Sequence, residues 1–157
     1  MHEELTGELG VIALDHTAIA VRDIETALPL YRDLLGGKPL GKPRPTRQGF
    51  QFVALGYPNG SKIELLGPLG SHGFVHAFLE KRGEGVHHLT FRVHDVRQAV
   101  ERARAAGLRV VDENYADPRW QEAFISPRSA FGTIVQLAQT NLERVRPDRH
   151  LTGKLVG

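Results

Sequence analysis

Four residues of this chain have the types and spacing to hold a metal ion: His16, Glu64, His88 and Gln136. The two histidines stand 72 residues apart, and so do Glu64 and Gln136. Each histidine lies in a similar segment, Leu14-Asp15-His16-Thr17-Ala18-Ile19-Ala20-Val21 and Val86-His87-His88-Leu89-Thr90-Phe91-Arg92-Val93. Imidazole nitrogen combined with carboxylate or amide oxygen suits one divalent ion such as Co, Zn, Ni, Mn or Fe. Four protein ligands on a five- or six-coordinate ion leave one or two open positions, where a substrate oxygen can be polarised. The competing assignment is four polar residues in a wet groove. Against it, burying a carboxylate with two histidines and no cation costs several kcal/mol.

The elements that position these residues follow from the same offset. Val21 matches Val93, Asp23 matches Asp95, Ala27 matches Ala99, Arg32 matches Arg104, Phe52 matches Phe124, Gly60 matches Gly132 and Leu65 matches Leu137. Two copies of one module are therefore expected, each reading strand, helix, then three strands. In the first, a strand over 11–21 leads to an Asp23 N-cap and a helix over 24–35 whose apolar residues fall at 24, 27, 28, 31, 34 and 35. Pro29 falls inside that helix and is expected to kink it or shift its start. Lys38 to Gln48, with three prolines, reads as an edge segment or loop, followed by a hairpin of strands 50–55 and 61–66. The connection from 67 to 85 is expected to contain a short helix over 74–81. The second module gives a strand over 86–93, an Asp95 cap, a helix over 96–106 and strands 108–112, 122–126 and 133–139, with a loop over 114–121. Residues 1–10 read as a loose leader.

Alternation along each strand assigns the faces. Thr17, Ile19 and Val21 turn toward the first helix, which sends His16 to the opposite side. Leu89, Phe91 and Val93 do the same for His88 and leave His87 on the helix side as a structural residue. Ile63 and Leu65 place Glu64, and Val135 and Leu137 place Gln136, on the side away from the helices. The expected fold is α+β: two repeated βαβββ modules, 11–66 and 86–139, whose mixed sheets form a cleft within one domain over 10–140, followed by a basic tail over 141–157.

Composition narrows the class of function. A hydrophobic fraction of 41% and a charged fraction of 24% are ordinary for a globular chain with a core. A formal charge of +2 gives no support for nucleic-acid binding. Cysteine is absent, which removes thiolate ligands, cysteine nucleophiles and disulfides. No apolar run reaches the length of a membrane span and no charged-then-apolar leader is present, so no membrane association and a cytoplasmic location are expected.

Four blocks carry a family resemblance: LDHTAIAVRDIETALPLYRDLLG, SKIELLGPLG, FLEKRGEGVHHLTFRVHDV and AFISPRSAFGTIVQLAQ, spread over about residues 12–139. In this order they resemble the vicinal oxygen chelate superfamily, which includes glyoxalase I, extradiol dioxygenases and bleomycin-resistance proteins, and most of all its methylmalonyl-CoA epimerases. The resemblance implies a glyoxalase-like fold and a divalent metal held by His16, Glu64, His88 and Gln136. It implies a small-molecule substrate, a CoA thioester, whose α-proton is exchanged through a metal-stabilised enolate. A homodimer is also expected, as is common for this architecture.

Two departures from the family pattern bear on the chemistry. The last ligand is commonly glutamate and a proposed acid/base, whereas Gln136 carries an amide that cannot take that role. The family's opposing carboxylate falls near Phe52, beside Gln51. The candidate catalytic residues are then Gln136 and Glu122. Glu122 lies two residues before Phe124 and on its strand face, with a solvent-facing edge position as the competing assignment. Arg44, Arg47, Arg119 and Arg128 are candidates for CoA phosphates or are solvated. Phe50, Phe52, Trp120 and Phe124 form an apolar wall or pack in the core. His72, His76 and His94 are assigned to the surface or to helix contacts. A glyoxalase-type lyase or isomerase on the same metal, and a non-catalytic sequestering protein, are the alternative functions.

Overall fold

The computed structural model describes residues 7–141. These residues form two compact units, one of residues 16–87 and one of residues 7–15 with 88–141. The tail expected over 141–157 lies, but for Asn141, outside the described residues, as do residues 1–6 of the leader.

In the unit of residues 16–87, four strands are ordered β2-β4-β5-β1. They are β1 (Val11–Ala20, shared with the other unit), β2 (Lys38–Pro39), β4 (Phe50–Gly56) and β5 (Lys62–Pro68). A further two-residue strand, β3 (Arg44–Pro45), also pairs with β4. The proline-rich stretch is thus an edge, as its composition implies. Helix α1 (Ile24–Leu28) packs Ile24 and Leu28 on Val21, Val53, Leu55 and Leu65. Helix α2 (Phe74–Arg82), the helix expected in the connection, packs Val75 and Leu79 on Ala18, Ala20, Phe50, Phe52 and Leu66. This sheet therefore has a helix on each face, where the sequence assigned one to α1 alone. Phe50 and Phe52 belong to the core beneath α2.

The helix expected over 24–35 is α-helical only to Leu28. Residues Pro29–Leu34 wind as a π-helix, with Leu35 N–H bonded to Leu30 O at 2.9 Å. Proline has no N–H for the carbonyl four residues back, so the ladder loses a rung there. The wider turn carries the later residues off the buried stripe. Leu34 is 80% exposed and Leu35 is also exposed, contrary to the 3.6-residue pattern.

The other unit has the strand order β6-β9-β8-β7, with β6 (Gly85–Val93), β7 (Val110–Asp117), β8 (Trp120–Ile125) and β9 (Ile134–Gln139). Its helix α3 (Val96–Ala105) buries Val96, Ala99, Val100 and Ala103, one helical stripe, in a core with Val93, Ala123, Ile125 and Leu137. Leu9 and Val11 join this core, and Gly10 O accepts a bond from His94 N–H, so the end of the expected loose leader is built into the fold. Strand β7 runs past the predicted end at Asp112 and takes in part of the predicted loop. Its register against β8 shifts twice, and Asp112 adopts φ 52°. A bulged, polar edge strand lacks the apolar alternation by which strands are read.

The internal repeat is exact for the inner parallel pairs. Ala18 is opposite Glu64 on β1 and β5, and Thr90 is opposite Gln136 on β6 and β9. At the hairpins it slips. Phe52 is opposite Leu66, but Ala138, the repeat of Leu66, is opposite Glu122 rather than Phe124. A slip of two residues keeps every side chain on its face. The turn between β8 and β9, residues 126–133, is also longer than that between β4 and β5, residues 57–61.

The two helix starts separate a backbone cap from a local side-chain contact. Asp95 accepts from Gln98 N–H at 3.0 Å, whereas Asp23 accepts only from the Thr26 hydroxyl. Asp95→Ala is expected to lower stability by about 1 kcal/mol and Asp23→Ala by clearly less, read from urea-denaturation midpoints. Equal losses would contradict this assignment.

Candidate metal centre

In the unit of residues 16–87, β1 and β5 place one nitrogen and one carboxylate side by side. His16 Nε2 lies 2.6 Å from Glu64 Oε2, and both side chains are 1% exposed. The parallel register that sets Ala18 opposite Glu64 brings them together on the face that carries Ala18, Ala20 and Leu66. A carboxylate so far from water requires a proton or a cation close by. Two ligands set at right angles on one ion, each about 2.1 Å from it, lie about 3 Å apart. The 2.6 Å separation is that of a hydrogen bond, shorter than this edge, and it is the donor atoms, an imidazole nitrogen and a carboxylate oxygen, that suit a divalent ion.

In the other unit, His88 and Gln136 are buried on the face away from α3. The His88 ring meets Phe124 edge-on, with centroids 6.4 Å apart. Gln136 sits in a chain of hydrogen bonds. The Thr90 hydroxyl donates to Gln136 Oε1 at 2.5 Å, and Gln136 Nε2–H donates to Glu122 Oε2. The same Glu122 oxygen accepts from the indole N–H of Trp120 at 2.7 Å. Glu122 is thus half-buried and hydrogen-bonded, not the solvent-facing edge residue of the competing assignment. The two-residue slip explains its place: Glu122 occupies in the second module the position that Phe52 occupies in the first.

His87 does not share the environment of His88. Its ring packs against Phe74 and Phe78, with centroids 5.4 and 4.8 Å away. These belong to α2, not to the module helix that alternation suggested. Burial, with a smaller contribution from Arg82, pushes its pKa down to about 4, so it is neutral at neutral pH. His72 and His94 are exposed, and His76 is half-buried on α2. Of the candidate arginines, Arg119 is engaged by Asp117 at 2.8 Å, Arg44 is half-buried on β3, and Arg47 and Arg128 are exposed.

Sequence reasoning did not identify Thr90 as a site residue, nor Trp120 as a polar one. A signal for Thr90 was present: it is the repeat of Ala18, so the second module carries a hydroxyl where the first has a methyl. For Trp120 there was none, because its bond to Glu122 depends on side-chain conformation.

The chain has relatives of known name and structure. Residues 15–124 match the family model of the Glyoxalase/Bleomycin resistance protein/Dioxygenase superfamily. The Ethylmalonyl-CoA/methylmalonyl-CoA epimerase of Cereibacter sphaeroides is 36% identical over 133 residues, covering 80% of this chain and 96% of that protein. The crystal structure of methylmalonyl-CoA epimerase from Mycobacterium tuberculosis superposes with a TM-score of 0.77 at 31% identity, covering 88% of this chain and 94% of the other. A single-residue variant of the Streptomyces coelicolor methylmalonyl-CoA epimerase in complex with 2-nitronate-propionyl-CoA gives a TM-score of 0.73 at 27% identity, covering 85% of this chain and all of the other. The fold class read from the sequence is the one these structures share.

The Thr90–Gln136–Glu122 chain makes a stability prediction. Gln136→Leu removes a donor and an acceptor from two buried or half-buried partners, and is expected to cost about 1–3 kcal/mol in urea denaturation of metal-free protein. An unchanged midpoint would contradict the chain as described.

Proposed function

The chain belongs to the glyoxalase/bleomycin resistance/dioxygenase superfamily, and from that premise we propose that it is a metal-dependent, methylmalonyl-CoA epimerase-like isomerase. The observation that carries the reading is the repeated parallel register: each module buries a histidine on one inner strand and a glutamate or glutamine on the next, on the face away from its module helix. His16, Glu64 and His88 each offer one ligand atom from a buried side chain. Gln136, the repeat of Glu64, adds an amide oxygen. One divalent cation held by these four is the proposed cofactor, drawn from Co, Zn, Ni, Mn and Fe.

A bound divalent cation would supply Lewis acidity to the oxygens of a substrate whose α-carbon loses a proton. The residues of the chain divide the remaining work. His16 and His88 serve as neutral nitrogen donors and Glu64 as the anionic donor. Gln136 serves as an oxygen ligand and carries no proton to exchange. Glu122, half-buried beside it, is the carboxylate assigned to exchange the α-proton. The substrate is a CoA thioester bearing an acidic α-hydrogen, in keeping with the relatives named above.

Incubation of metal-loaded protein with methylmalonyl-CoA in deuterated water is expected to give deuterium at the α-carbon well above the rate without protein. Background exchange alone with all five metals would overturn the isomerase reading. Equilibrium dialysis tests the ligands separately. His88→Ala is expected to weaken divalent-metal binding at least tenfold, and His87→Ala to leave it within about twofold, because His87 is packed on phenylalanine rings. Equal losses would refute the assignment of faces.

A further inference from the structure

We infer that Glu122 is a positioning residue for Gln136, holding its amide so that the oxygen, and not the NH2 group, is presented as a ligand. This deepens the metal reading above and rests on it. Thr90, Trp120, Glu122 and Gln136 all lie in one unit, that of residues 88–141. A glutamine side chain has an oxygen and a nitrogen of nearly the same shape, and only its neighbours decide which way it faces. Glu122 Oε2 is the acceptor of the Trp120 indole N–H and faces the amide NH2, from which it also accepts. Turning the amide over would set two acceptor oxygens against each other.

The partners on both sides fix this arrangement. Trp120 N–H donates to the same Glu122 oxygen, a second bond that holds the carboxylate in place. Thr90, fully buried, donates its hydroxyl proton to Gln136 Oε1. That oxygen has two lone pairs, and one hydroxyl uses one of them. The first module has no counterpart to this device and no use for one. Glu64 is a carboxylate with two equivalent oxygens, and its strand neighbour is Ala18. Where the second module carries an amide at the repeated position, the two-residue slip of β8 brings a carboxylate to its nitrogen end.

Three variants and two readouts test this. Side-chain amide NMR of Gln136 in metal-free protein is expected to show NH2 protons shifted downfield and slow to exchange, and Glu122→Leu to abolish both, while Glu122→Gln, whose amide oxygen still accepts, weakens them. Equilibrium dialysis with Co2+ is expected to show about tenfold weaker binding in Glu122→Leu, with Glu122→Gln and Trp120→Phe giving smaller losses in the same direction. Proton transfer by Glu122 would move neither readout. Fast-exchanging Gln136 NH2 protons in the unaltered protein would overturn the inference. So would Co2+ affinity unchanged within twofold in Glu122→Leu while its far-ultraviolet dichroism stays native. An unaltered protein that binds no Co2+, Zn2+, Ni2+, Mn2+ or Fe2+ while the amide signals behave as expected would sink the metal reading and uphold the orientation of Gln136.

Discussion

The burial of Glu64 beside His16 is the constraint on which the proposed chemistry depends. A carboxylate with no exposed surface has lost its hydration, and that loss has to be offset where the group stands. The offset is local: a histidine nitrogen 2.6 Å away, placed there by the parallel pairing of β1 and β5. Strand geometry brings this about without any specialised loop, because successive residues alternate between faces and the register selects which pair become neighbours. A position so demanding favours a group that can share a proton or a cation, and the cation is the alternative that the proposed function takes up.

The second module repeats the backbone solution with different side chains. Thr90 stands where the first module has Ala18, Gln136 where it has Glu64, and Glu122 where it has Phe52. The polar groups have been redistributed around a conserved register. One module holds its carboxylate in the inner strand; the other holds an amide there and the carboxylate one strand further out. Slipping a hairpin by an even number of residues makes this possible, since an odd slip would have turned Glu122 toward the α3 core.

Much of this was legible in the sequence. The 72-residue offset gave the modules, and alternation gave the faces of His16, Glu64, His88 and Gln136, because both rest on periodicities that the backbone enforces. What was not legible depends on non-repeating detail. The offset continued without a gap through Phe124, so sequence alone could not show that pairing shifts by two at β8. Pro29 signalled an irregular helix, but the π-turn that exposes Leu34 follows from the bonds the chain makes after losing one. Strand β7 was curtailed because an edge strand with Asp112, Glu113 and Asn114 has the composition of a loop. The sequence predicts helix α2 but not its packing on Phe50 and Phe52, since apolar residues on a strand do not reveal what covers them.

The central claim is that two histidines from equivalent strands share one divalent ion with Glu64 and Gln136. X-ray absorption at the cobalt edge of Co2+-loaded protein measures this most directly, because imidazole rings give an outer-shell scattering pattern that carboxylates and amides lack. The account predicts a first shell of nitrogen and oxygen only, with two imidazoles, falling to one in His16→Ala and in His88→Ala. A cobalt ion carrying one imidazole or none in the unaltered protein would contradict it.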